Sequence, residues 1–137
     1  MTNEAEEVNE IREIITWYQG LPEDYLGLNE LMNKRQKLSA ATFFFATSVG
    51  EASKAWNMAH AMAETKKNQL RVEFGSNTSA DYKARANNGD LYEAEKMAEG
   101  LYWAMREELG AIKEVLSSMS QQIAWLRDEL TYNRHIR

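Results

Sequence analysis

Apolar residues recur at steps of three and four along most of this chain, and that spacing predicts an all-α protein. In residues 4–18, Val8, Ile11, Ile14, Ile15 and Tyr18 fall on one face of a short amphipathic helix. The run YQGLPEDY interrupts it. Gly20 suits the left-handed conformation that ends a helix, and Pro22 suits the first turn of the next. Glu23 and Asp24 then follow where the helix dipole favours negative charge. From Pro22 to about Phe74 one stripe runs through Leu28, Leu31, Leu38, Phe45, Val49, Ala52, Trp56, Ala59, Ala63 and Leu70. Arg35, Thr42 and Lys66 interrupt this stripe. A continuous helix of roughly 50 residues is about 75 Å long, so an elongated molecule is expected. Gly50 is a candidate bend, and the alanines at 52, 55, 59, 61 and 63 allow a neighbouring helix to come close.

GSNTS at 75–79 is a turn by composition. Thr78 with Asp81 resembles a helix start, ADYKARA forms a short helix, and NNG at 87–89 stops it. Asp90 with Glu93 reads as a capping box. Beyond it, Ala98, Tyr102, Met105, Leu109, Ile112, Leu116, Met119, Ile123, Leu126 and Leu130 alternate steps of four and three without a break. Such a heptad seam implies a left-handed supercoil against other helices. With Leu109 at position a, Arg106, Lys113 and Arg127 occupy e positions, and Glu108 and Glu129 occupy g positions. Glu108 and Lys113 have the spacing of an ion pair between parallel strands. Met105, Leu109, Ile112, Leu116, Met119, Ile123 and Leu126 are therefore expected to join copies of the chain. A competing reading pairs this helix with 22–74 as an antiparallel hairpin within the chain. Leu101 and Val115 widen the apolar face enough for both. The expected architecture is an elongated helical hairpin or coiled-coil-like bundle. It divides into an acidic helix at 1–20, a long helix at 22–74, a basic turn and short helix at 75–89, and a heptad helix at 90–133, all within one domain.

Composition narrows the chemistry. The 137 residues include no cysteine, which excludes disulfides and cysteinyl metal sites and is consistent with a reducing cytosol. No run of about 18 apolar residues occurs, so no membrane span is expected. The acidic start MTNEAEEVNE lacks the apolar core of a signal peptide. His60 and Glu64 lie one turn apart, but a di-iron bundle needs Glu-x-x-His on two helices, and that motif is absent. Neighbouring carboxylates such as Glu6 and Glu7, or Glu107 and Glu108, point to different helix faces. The two histidines are distant from each other and no nucleophile pairs with either. A non-enzyme without metal or cofactor is expected.

Charge is segregated. Residues 1–30 carry one base and eight acids, residues 31–89 nine bases and four acids, and residues 90–137 six bases and nine acids. Lys66, Lys67, Arg71, Lys83 and Arg85 flank the GSNTS turn in a protein of net charge −5. Phe74 and Tyr82 lie among them. Basic grooves with aromatic faces bind single-stranded nucleic acid, each stacked base contributing about 1–3 kcal/mol. The plainer account has Phe74 and Tyr82 closing the apolar end of the hairpin, with the bases solvated or facing acidic helices. Five charges hold a strand weakly at physiological salt, and repetition in an oligomer would multiply them.

The order of parts resembles phage recombination mediators of the UvsY type. A long helix ends in the basic stretch ETKKNQLRVEF, a turn with Gly75 and the helix DYKARA follow, and the last helix reads LYWAMREELGAIKEVLSSMSQQI. The resemblance covers roughly residues 28–130 and rests on a pattern of helices, aromatics and bases without a catalytic motif. It implies ring assembly through helical packing, single-stranded DNA binding, and loading of a RecA-like recombinase as single-strand-binding protein is displaced. The family's DNA-contacting bases correspond to Lys66, Lys67 and Arg71; Lys83 and Arg85 extend the set on charge alone. Residues 1–30 depart from the family in their acidity, and are read as contacting the recombinase or another basic surface, or as shielding the site. The expectation is a cytoplasmic accessory protein of recombination in a phage-infected bacterium. The alternative is a coiled-coil adaptor that binds another protein, including a phage-encoded inhibitor of a host factor.

Overall fold

The computed structural model describes residues 4–74, 83, 86 and 88–136. Among them are three helices and no strand: α1 over Glu4–Gln19, α2 over Leu28–Phe74 and α3 over Gly89–Ile136. The chain is all-α, as its periodicity predicts. No helix of the described residues is long and apolar enough to cross a membrane. The short helix expected at 80–86 lies outside the described residues, apart from Lys83 and Ala86, which are helical.

Helix ends depart from expectation in instructive ways. Gly20 does not adopt the left-handed backbone. Its N–H donates to the Thr16 carbonyl at 3.1 Å and that of Leu21 to Tyr18 at 3.2 Å, so α1 closes by tightening its last turn. Pro22 does not open α2. It begins an isolated turn, closed by the Tyr25 N–H on the Pro22 carbonyl at 3.1 Å, and α2 starts at Leu28. Aromatic packing fills this connection. Trp17 meets Tyr25 edge-on at 5.9 Å, and the Tyr25 hydroxyl donates to Glu30 Oε2 at 3.0 Å. The Tyr25 ring thereby lies over Gly27, where a Cβ would come within 2.5 Å of its Cζ. Desolvation, then the Glu30 carboxylate, raises the Tyr25 phenol above its ordinary pKa. At α3, Leu91 N–H donates to the Asn88 carbonyl at 3.0 Å. Asp90 therefore sits in the first turn, where the dipole favours it, and not at the cap expected for it.

The chain divides into two compact units, and both long helices contribute to each. The first comprises Met1–Thr47 and Glu108–Arg137. Here α1 buries Ile11 and Ile14, α2 buries Leu31, Leu38 and Phe45, and α3 buries Ile112, Met119 and Leu126. Tyr18 bonds Ser118 through their hydroxyls at 2.8 Å, and the Lys34 ammonium lies 5.6 Å from the Trp17 ring centre. The α2 and α3 segments run antiparallel: Met32 meets Arg127, and Arg35, further along α2, meets Ser120 and Leu116. Two polar interruptions of the α2 stripe are thereby resolved. Thr42 is buried and returns its hydroxyl to the Leu38 carbonyl at 2.6 Å. Arg35 crosses to α3, its Nε donating to Ser120 Oγ at 2.6 Å.

The second unit is Ser48–Glu107. Its α2 and α3 segments are again antiparallel: Trp56 meets Tyr102, His60 meets Glu95, and Leu70 packs on Tyr92. Ala52 and Ala63 are buried, so small side chains line the contact. α2 runs unbroken through Gly50. Among its described residues Met58, Met62, Met97, Leu101 and Trp103 stay exposed.

Part of the heptad seam packs inside the chain. Ile112, Met119, Ile123 and Leu126 are buried, Met105, Leu109 and Leu116 are half-buried, and Leu130 is exposed. This is the antiparallel pairing within the chain, which the width of the α3 apolar face allows alongside self-association. A partner helix on the same chain presents its apolar stripe at high effective concentration, which a separate copy lacks.

Candidate nucleic-acid interface

Lys66, Lys67 and Arg71 ride the last turns of α2, in the second unit. Lys67 and Arg71 are one turn apart and share a face. Arg71 is exposed, whereas Lys66 and Lys67 are half-buried. Lys66 forms part of the wall of a groove of about 340 Å³ with Met62, Thr65, Gln69 and Leu91. That wall contains no carboxylate and is largely methyl and methylene surface. Lys83 is helical and exposed. Tyr82 and Arg85, and the side chain of Phe74, lie outside the described residues.

The second unit also holds an aromatic cluster that periodicity assigned only in part, to packing. Tyr102 lies 5.4 Å from Trp56 and 5.3 Å from Trp103, and Trp56 lies 6.4 Å from Trp103. The Arg106 guanidinium sits 5.3 Å above the Trp103 ring and donates from Nη1 to the Tyr102 hydroxyl at 3.3 Å. Trp103 is 44% exposed, so an aromatic face with an adjacent cation reaches solvent. The signal was present in LYWAMR, where an arginine follows two aromatics by one helical turn. Trp56 could not be joined to them without the fold.

His60 does not pair with Glu64 in the manner the one-turn spacing allows. Its Nδ1 contacts Glu95 Oε1 at 2.5 Å, bridging α2 to α3. The hydrogen bond and charge of Glu95 raise the His60 pKa above its ordinary value; desolvation opposes this and Glu64 adds a smaller attraction. Among the described residues no group of three or more His, Asp or Glu side chains could hold a metal. The arrangement offers cations, an exposed indole and an apolar groove, which are means of binding. The chain matches no family model, no curated protein and no solved structure.

Proposed function

We propose that this protein is a non-enzymatic accessory factor of recombination, which binds single-stranded DNA as a homo-oligomer and assists loading of a RecA-like recombinase. The observation that supports the reading is the placement of Lys66, Lys67 and Arg71 on consecutive turns at the end of α2, with Lys66 in the wall of an apolar groove without carboxylates, in an otherwise acidic protein. Phosphates would be met by the bases and an unstacked base by the groove or the Trp103 face. Affinity from so few cations is low, and assembly of several copies raises it. Because the centre of the α3 seam is buried within each chain, copies meet through apolar residues left exposed, such as Met97 and Leu101, one turn apart on α3. The resemblance of the helix order and of ETKKNQLRVEF to the UvsY-type mediators supports the recombinase and single-strand-binding protein as partners.

The test is fluorescence anisotropy of labelled oligo-dT over a range of salt concentrations. Binding should weaken steeply with salt, and the triple substitution of Lys66, Lys67 and Arg71 by Ala should flatten the slope by up to about two units of log K per log salt, on the single-strand scale. Equal, salt-insensitive binding by both proteins, or no binding by either in dilute buffer, would reject the proposal.

A further inference from the structure

The first unit carries a second groove, of about 920 Å³, between the start of α2 and the end of α3. Two arginines, Arg35 and Arg127, are among its lining residues, and no carboxylate is. Neither forms an ion pair among the described residues. Arg35 is held in place through its Nε by Ser120 Oγ and the Leu116 carbonyl, leaving its terminal nitrogens for another acceptor. Arg127 directs Nη2 at the Met32 sulfur, 3.6 Å away, a weak acceptor that a carboxylate would displace. The rest of the wall is apolar, amide or hydroxyl, and Phe43 stands 73% exposed at one end.

We infer that this groove binds an acidic, amphipathic helical peptide of a partner protein through Arg35, Arg127 and Phe43. Charge complementarity selects the occupant. Met32 lies one turn before Arg35 and touches Arg127, so both guanidinium groups serve one stretch of the groove. Two carboxylates on one face of a helix could meet them together. Phe43 lies a little over two turns beyond Arg35, a distance of about 12 Å, which places an apolar anchor on the same peptide two turns from its acidic pair. Helix-in-groove recognition uses this combination of spaced apolar anchors and polar neighbours. Nucleic acid is the poorer fit. The groove offers only two cations, enough for a pair of carboxylates but few for a strand that carries a charge on every nucleotide. The inference is independent of the DNA reading, since it concerns the other unit.

The experiment uses the full chain and a fluorescein-labelled, alanine-based helical peptide with two glutamates one turn apart and leucines two turns to either side. Anisotropy should give a saturable isotherm that Arg127→Gln and Phe43→Ala each weaken about ten-fold, and a glutamine version of the peptide should bind about ten-fold less well. Both substituted side chains are exposed, and circular dichroism should show the helices intact. Undiminished binding by either variant, equal binding of the glutamine peptide, or no binding at all overturns the inference. So does competition by oligo-dT that Arg127→Gln abolishes, which would make the groove a nucleic-acid site. Competition by oligo-dT that survives Arg127→Gln but not the Lys66, Lys67 and Arg71 substitutions would leave the groove assignment standing.

Discussion

Arg35 and Ser120, 85 residues apart in the chain, are joined by a hydrogen bond of 2.6 Å from the guanidinium Nε to the hydroxyl. Ser120 in turn donates to the Leu116 carbonyl at 3.0 Å, which also lies 3.4 Å from Arg35 Nε. The base that interrupts the α2 stripe thus becomes a fastening between α2 and α3. Arg35→Ala should cost about 1.5–3 kcal/mol and Ser120→Ala about 1 kcal/mol, because hydrogen bonds to charged groups are the stronger ones. Urea denaturation of both single variants and the double variant should give a coupling of at least about 0.5 kcal/mol. Strict additivity would mean that the two side chains act separately.

Met119 is fully buried within the chain. Met119→Ala should lower stability by about 2–5 kcal/mol, the cost of lost burial plus a cavity. The loss should be the same at low and high protein concentration, because the packing is intramolecular. Denaturation midpoints that rise with protein concentration in the parent and not in the variant would instead place Met119 between copies.

Gly50, Gly100 and Gly110 lie inside helices, and an added Cβ at each would meet nothing within 4 Å. Each Gly→Ala change should therefore raise stability by about 0.5–1 kcal/mol, through the entropy of the unfolded chain. Gly27→Ala should do the opposite, since its Cβ collides with the Tyr25 ring and displaces the hydroxyl from Glu30. Thermal denaturation of the four variants separates these signs; a destabilised Gly110→Ala would show that α3 is packed on that side.

His60 provides a pH dependence of known sign. Its pKa is higher in the folded than in the unfolded chain, owing first to the Glu95 hydrogen bond and then to its charge. The pair therefore stabilises the fold fully below the ordinary imidazole pKa of about 6.5, and the contribution disappears as pH rises through the raised value. Urea midpoints should fall across that window in the parent and fall less in Glu95→Gln. An NMR titration placing the His60 pKa at or below 6.5 would contradict the pairing.

The apolar periodicity of Val8 to Tyr18, Leu28 to Leu70 and Ala98 to Leu126 determined that the chain is helical and which face of each helix is covered. Segregated charge likewise gathers Lys66, Lys67 and Arg71 at one end of α2. These features follow from spacing along the chain and need no contact between helices. The tertiary structure decided what each face meets. A heptad stripe has the same appearance whether its partner is another copy or the same chain, and Ile112 and Met119 found theirs within the chain. Pro22 heads an isolated turn and not a helix, and Tyr25 of that turn packs on Trp17 from the preceding helix. His60 with Glu95, Trp56 with Tyr102, and Arg35 with Ser120 are also tertiary. Each joins residues far apart in sequence, and only the antiparallel register of α2 and α3 in each unit brings them together.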